Sequence, residues 1–110
     1  MRFGHHADQF QNQYSKEQEQ AFTKVFTALT TEFAEHQAAG IAPSDDRVQA
    51  LVKRHYDFLL QFWTPNKEAY KSLAMSYILP SPYRDSYEAV AVGLGQYHYD
   101  AICFWANENL

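Results

Sequence analysis

The sequence predicts an all-α domain of four or five helices. Apolar residues recur at three- and four-residue steps over several segments, which is the spacing of one helix face. No segment of four to eight residues alternates apolar and polar side chains, and no Asn-Gly or Asp-Gly turn occurs. A length of 110 residues gives room for one hydrophobic core and therefore for one domain.

The first predicted helix begins near Ser15 and ends near Gly40. Ser15 and Gln18 have the spacing of a capping box, in which the serine hydroxyl accepts from the Gln18 N–H and the glutamine reaches back. The apolar face that follows is Phe22, Val25, Phe26, Leu29 and Phe33. Gly40 has the position of a left-handed residue after a helix, and Pro43 keeps the connection from continuing as helix.

The second predicted helix begins after Ser44 or Asp45, since either side chain can accept from the first turn. Its apolar residues are Val48, Leu51, Val52, His55, Phe58, Leu59, Phe62 and Trp63. That face is wider than one stripe, so we expect this helix to be central. A third helix is predicted with Thr64 as its N-cap and Pro65 as its first residue.

Two breaks precede the last predicted helix. Pro80 and Pro82 exclude a continuous helix, and a short segment resumes around residues 83–90. Gly93 and Gly95 mark the entry to the last helix, where their low helix propensity predicts a kink or a close helix contact. The last helix carries Leu94, Tyr97, His98, Ala101, Ile102 and Trp105.

Composition and charge narrow the class of protein. The polar, Gln-rich residues 1–14 predict a flexible N-terminal arm ahead of a helical domain at 15–110. A net charge of −4 without a Lys/Arg cluster argues against direct contact with nucleic acid. No apolar run could span a membrane or serve as a secretory signal, and the single Cys103 fits a reducing compartment. We therefore expect a cytoplasmic protein, with a monomer favoured.

The spacing of reactive residues gives no support to catalysis, a metal or a cofactor. His5 and His6 are adjacent, and no His-Glu-x-x-His or Cys-x-x-Cys pattern occurs. His55 or His98 could be offered to a haem, but nothing else favours one. Cys103 lies among apolar neighbours, where burial would make its thiol unreactive. We expect no enzymatic activity and no cofactor.

Aromatic side chains are the distinctive feature of the composition, with 8 Phe, 8 Tyr and 2 Trp. A buried tyrosine hydroxyl needs a partner, so a dry core tends to use Phe or Leu instead. The tyrosines concentrate in the C-terminal half, beside the Pro- and Gly-rich breaks. Such side chains can wall a concave site for a small, polycyclic or peptidic ligand, or they can pack as plain core. Composition leaves both interpretations open.

Four stretches resemble, in order and spacing, the antibiotic-recognition domain of the TipA class, which is the C-terminal effector domain of certain MerR-type regulators. They lie at residues 14–17, 50–55, 69–78 and 93–102. The resemblance implies an all-α, globin-like fold without haem, whose cleft binds multicyclic peptide antibiotics of the thiopeptide type or other aromatic-rich antibiotics. It also implies that a flexible segment before the core closes over the ligand, of which this chain keeps the last part as residues 1–14.

Two departures from the family pattern bear on the ligand. The family's cysteine that captures a dehydroalanine of the ligand aligns with Pro65, so covalent capture is not expected. The family's Asp-Pro-Arg-Phe run reads Ser81-Pro82-Tyr83 here, which keeps an aromatic residue at Tyr83 but loses the Asp and the Arg. No helix-turn-helix or dimerising coiled coil is present, so we expect an effector domain or a stand-alone drug-binding protein.

The hypothesis from the sequence is the non-enzymatic binding of a hydrophobic, multicyclic peptide-type antibiotic in an aromatic-lined cleft. The residues expected to line it are His55, Phe62, Trp63, Tyr70, Tyr77, Tyr83 and Tyr97. The alternative is a helical protein-interaction domain, whose exposed aromatic patch docks on a partner protein.

Overall fold

The computed structural model describes residues 15–110, which form five helices. Their bounds are α1 Lys16–Ala38, α2 Asp46–Leu59, α3 Lys67–Met75, α4 Pro82–Val90 and α5 Leu94–Asn109. This part of the chain contains no strand, so the predicted all-α fold of four or five helices is confirmed. The predicted arm at residues 1–14 lies outside the described residues.

Side-chain caps determine where the helices begin. Ser15 and Gln18 form the predicted capping box at the start of α1. The Asp45 carboxylate accepts from the backbone N–H of Arg47 at 2.9 Å and so begins α2. The Ser81 hydroxyl caps α4 in the same manner. Each cap supplies an acceptor for an N–H that the helix itself leaves without a partner.

Helix α3 begins later than the sequence predicted, and the assignment of Thr64 and Pro65 to its first turn was wrong. Asn66 is the N-cap, and its side-chain oxygen accepts from the Ala69 N–H at 2.8 Å. Pro65 is buried in the connection before α3, where its carbonyl accepts from the Tyr56 hydroxyl at 2.7 Å. A buried tertiary hydrogen bond therefore holds Pro65 outside the helix that its local pattern favours.

Helix α1 runs antiparallel to α2 and in the same direction as α4. Phe22 near the start of α1 contacts Phe62 just after α2, whereas Glu32 further along pairs with Arg54 at 2.9 Å. Contacts between α1 and α4 advance along both helices together: the ring of Phe26 faces that of Tyr87, and further on the Gln37 amide donates to the carbonyl of Val92, just after α4, at 3.0 Å. Both α1 and α4 therefore begin at the end of the bundle where α2 finishes.

Helix α5 contacts each of the other four helices and forms the centre of the bundle. At Gly95 it approaches the segment that follows α3 so closely that a Cβ would overlap the carbonyl oxygen of Tyr77. The close contact predicted from the glycines is thereby confirmed. Gly93, with a φ of +78°, supplies the left-handed residue from which α5 begins.

The core draws residues from all five helices and from the connections between α3 and α4. Its buried apolar members are Leu29, Phe33, Val48, Leu51, Val52, Tyr56, Leu59, Tyr70, Ala74, Tyr77, Tyr87, Leu94, Ala101, Ile102, Trp105 and Ala106. Helix α2 contributes Val48, Leu51, Val52, Tyr56 and Leu59. The expectation that α2 would be the central helix was wrong, because α5 packs on each of the other four helices and occupies that position. Within residues 15–110 no helix combines the length and the apolar character needed to cross a bilayer.

Candidate functional site

The structure divides the seven predicted ligand-contacting residues between the interior and the surface. His55, Tyr70 and Tyr77 are buried, with exposed fractions of 0%, 0% and 3%. The remaining four are half-buried: Phe62, Trp63, Tyr83 and Tyr97. Any direct contact with a ligand therefore falls first on the half-buried set.

A chain of polar aromatic side chains runs through the core, and we call it the buried Tyr-His network: His55, Tyr70, Tyr77, Tyr87 and His98. The Tyr70 hydroxyl lies 2.7 Å from Nδ1 of His55, and the Tyr77 hydroxyl lies 3.5 Å from its Nε2. The Tyr87 hydroxyl lies 2.8 Å from Nδ1 of His98. The Tyr77 ring stacks on Tyr87 at 4.3 Å and on His98 at 5.3 Å.

Burial keeps the members of this network uncharged at neutral pH. It lowers the pKa of His55 from 6.5 to about 3. The pKa of His98 lies well below its usual value, because burial is reinforced by the nearby His55. Burial also raises the pKa values of Tyr70, Tyr77 and Tyr87 above the ordinary value of 10.0. The network therefore offers hydrogen bonds rather than charges.

A second group of rings lies where α1 begins and α2 ends, and we call it the aromatic end: Phe22, Phe58 and Phe62. The Phe22 ring meets Phe62 at 4.8 Å and Phe58 at 6.2 Å, both edge to face. Phe58 and Phe62 complete the triangle at 5.4 Å. All three side chains are half-buried, so part of each ring lies at the surface.

Two further predicted residues lie toward this same end. Trp63 follows Phe62 directly in the chain. Tyr83 lies one helical turn before Tyr87 on α4, as Phe22 lies one turn before Phe26 on α1. Since α4 and α1 run in the same direction and Tyr87 faces Phe26, Tyr83 and Phe22 lie toward the same end. The structure thus brings Phe62, Trp63 and Tyr83 to one end of the bundle.

Tyr97 lies at the other end. Its hydroxyl donates to the carbonyl of Ile41 at 2.6 Å, just beyond the last residue of α1. Phe22 and Ile41 are separated by most of the length of α1. The structure therefore does not bring Tyr97 together with Phe62. Its hydrogen bond ties α5 to the connection between α1 and α2.

Phe22 and Phe58 join the candidate site although their places on apolar helix faces favoured burial. Both lie on helical apolar stripes, which is why periodicity predicted burial. The available signal was the width of the α2 face, which carries more rings than one core-facing stripe can bury. The proximity of Phe22 to the beginning of α1 was a second signal, because helix ends are less completely covered than helix centres.

A polar depression of about 480 Å³ lies between α4 and α5. Its lining residues are Ile78, Arg84, Asp85, Glu88 and Gln96. The Glu88 carboxylate accepts from the Gly93 N–H, with oxygens at 3.1 and 3.2 Å from the nitrogen, and so helps to shape the turn before α5. The charged lining differs from the aromatic lining that the sequence predicted for a ligand site.

The potential metal ligands of the described chain are dispersed. Residues 15–110 hold no cluster of three or more His, Cys, Asp or Glu side chains. Both nitrogens of His55 already face tyrosine hydroxyls. Cys103 is a half-buried free thiol on α5.

The geometry defines a class of protein: a small helical domain with an uncharged polar-aromatic interior and half-buried phenylalanines at one end. The family model of the TipAS antibiotic-recognition domain matches residues 1–105, which is nearly the whole chain. The chain therefore belongs to the TipAS family, as the four resembling stretches indicated, and is an antibiotic-recognition domain. The matched region also includes the residues before Tyr14, where the resemblance in sequence begins. No curated protein and no solved structure gives a significant match.

Proposed function

We propose that this domain binds a hydrophobic, multicyclic peptide-type antibiotic at the aromatic end and leaves it chemically unchanged. The observation that carries the proposal is the half-buried, edge-to-face cluster of Phe22, Phe58 and Phe62 in a chain of the TipAS family. Aromatic rings at a surface offer flat apolar area to the rings of such a ligand. Pro65, which replaces the family's ligand-capturing cysteine, supports reversible rather than covalent binding.

Apolar contact can supply most of the affinity. Removing about 300 Å² of apolar surface from water contributes roughly 7 kcal/mol before the cost of association. Trp63 and Tyr83 lie toward the same end and carry an N–H and a hydroxyl, which suit the amide groups of a peptide. Phe62, Trp63 and Tyr83 are therefore the predicted residues that we propose as direct contacts, joined by Phe22 and Phe58.

The buried members of the predicted set have a supporting role in this proposal. His55, Tyr70 and Tyr77 lie behind the surface, and the Phe26 ring touches His55 at 6.2 Å, between centroids. The hydrogen bond between His55 and Tyr70 holds α2 against α3. Phe62 lies three residues after the end of α2, so this contact also helps to fix the position of Phe62. They would position the aromatic end rather than contact the antibiotic.

The proposal extends to the partners of the domain. We propose that it acts as a monomer in the cytoplasm, either as the effector domain of a MerR-type regulator or as a stand-alone drug-binding protein. With a net charge of −4, the chain would reach DNA through another polypeptide segment rather than by direct contact.

A titration with a thiopeptide and a panel of planar aromatic antibiotics tests the proposal. We expect at least one compound to bind by calorimetry, and Phe62→Ala to weaken binding about tenfold or more, because it removes a central ring of the cluster. Phe104→Ala is the matched control: Phe104 is 43% exposed on α5, outside the aromatic end. Circular dichroism establishes that both variants fold.

Two outcomes would contradict the proposal. One is a panel without heat of binding and without any shift in melting temperature. The other is a bound compound whose affinity falls equally for Phe62→Ala and Phe104→Ala. Capture of a partner protein that Phe104→Ala abolishes would instead favour the interaction-domain alternative, for which the exposed Phe104 and Val92 are the relevant side chains.

A further inference from the structure

Two buried histidines touch each other within the network. The rings of His55 and His98 lie 4.6 Å apart between centroids at an interplanar angle of 75°. Neither side chain has any exposed surface. His55 belongs to α2 and His98 to α5, so their contact lies in the interface between α2 and the helix at the centre of the bundle.

Among residues 15–110, no countercharge faces this pair. The groups that face it are Phe26 and Phe33 from α1, Tyr70 from α3, Tyr77 from the turn after α3, and Tyr87 from α4. The titratable ones among them are phenols, and the ion pairs of the described residues do not involve either imidazole. A buried imidazolium here would lack the charge partner that makes burial tolerable.

The number of hydrogen-bond donors and acceptors gives a second, independent reason why the closed core disfavours protonation of these histidines. A neutral imidazole has one donor and one acceptor nitrogen, whereas a protonated one has two donors. Both nitrogens of His55 face tyrosine hydroxyls, at 2.7 and 3.5 Å. Protonation would make both hydroxyls acceptors and would leave their own protons to find new partners in the core. Nε2 of His98 is already buried without a hydrogen-bond partner among residues 15–110.

We propose that the His55–His98 pair is an acid-operated switch: on mild acidification the pair takes up protons by separating α5 from α2, and the bundle opens cooperatively. An opened chain binds protons at both histidines, while the closed domain excludes them. The stabilising effect of the neutral pair is therefore complete above the ordinary histidine pKa of 6.5 and declines as the pH falls below it. This switch belongs to the fold and does not depend on the identity of the ligand.

Urea unfolding of the ligand-free chain between pH 7.5 and 4.5 tests the switch. With two protons taken up on opening, the unfolding equilibrium constant should rise about 100-fold from pH 5.5 to pH 4.5. His98→Phe keeps a flat ring against Phe33 and should reduce that rise to about tenfold. His36→Gln, in the last turn of α1 and outside the network, is the control and should retain the full dependence. Equal pH dependence in the wild type and His98→Phe would overturn the proposal.

If His98→Phe does not fold, nitrogen-15 NMR of the wild type tests the proposal instead, by reporting the protonation state of each imidazole as the pH is lowered. Two of the five imidazoles should stay neutral at every pH at which the folded amide spectrum persists, and should become protonated only together with its loss. A spectrum in which all five imidazoles titrate between pH 6 and 7 while the folded signals remain would overturn the proposal.

Discussion

Tyrosines can be buried in the core of this protein because their hydroxyls form hydrogen bonds with buried histidines and with a proline carbonyl. Tyr70 and Tyr87 each face Nδ1 of a buried histidine, and Tyr56 donates to Pro65. From the sequence, these tyrosines could either wall a ligand site or pack as plain core. The structure gives several of them partners inside the protein, which is how a core rich in phenols avoids the cost of unsatisfied polar atoms.

Removing one of these hydroxyls should destabilise the protein. Tyr70→Phe leaves Nδ1 of His55 buried without its partner at 2.7 Å, and we expect a loss of about 1–3 kcal/mol of unfolding free energy, measured by urea denaturation at pH 7.5. The half-buried Tyr99→Phe is the control and should change stability by less than about 0.5 kcal/mol. Equal stabilities for the two variants would show that the His55 contact contributes nothing.

At the scale of elements, local signals set most helix boundaries and tertiary contacts set the rest. The capping box at Ser15 and the cap at Asp45 operate as their local patterns predict, since each bond joins residues two or three apart. The start of α3 departs from the predicted one because Asn66, also a good local cap, is used in place of Thr64, while the Pro65 carbonyl accepts from Tyr56, nine residues earlier in the chain. Local rules offer both caps, and the choice between them coincides with a hydrogen bond to another helix, which such rules do not include.

The entry of α5 gives the sharpest prediction at this scale. In Gly95→Ala the new Cβ would meet the backbone of Tyr77, which cannot move without shifting the turn after α3. We expect a loss of roughly 3 kcal/mol, seen as a lower urea midpoint.

Gln96→Ala, one residue further along α5, is the matched control. Its side chain is exposed and bonds within the helix to Asp100, so we expect a change within about 0.5 kcal/mol. A Gly95→Ala variant as stable as Gln96→Ala would mean that α5 does not approach Tyr77 as closely as described.

At the scale of the molecule, one core joins all five helices through α5. Trp105 lies in that core, 4.9 Å from Tyr56 and 5.9 Å from Tyr70 between ring centroids, whereas Trp63 lies toward the aromatic end. A single core of this size favours unfolding in one cooperative step. The two tryptophans therefore report on two regions that should lose their structure together.

Single-tryptophan variants test this cooperativity. In Trp63→Phe the remaining fluorescence comes from Trp105, and in Trp105→Phe it comes from Trp63. Within each variant, we expect the fluorescence midpoint in urea at pH 7.5 to coincide with the midpoint from far-ultraviolet circular dichroism. A Trp63 signal that is lost well before the helices would instead show that the aromatic end opens locally while the core stays folded.

The sequence by itself determined the helical class, four of the five helix starts to within one residue, the break at Pro80 to Pro82 and the close approach at Gly95. Those features follow from periodicity, capping and backbone preference, all of which act between near neighbours. Only the tertiary structure decided which aromatic rings are interior and which reach the surface. In the tertiary structure, Tyr70 and Tyr77 lie beside His55. Phe22, Phe58 and Phe62 lie together at one end of the bundle, and Tyr97 lies at the other end. The physical reason is that burial depends on what the other helices cover, and helical spacing identifies an apolar face without saying how much of its length a neighbour will cover.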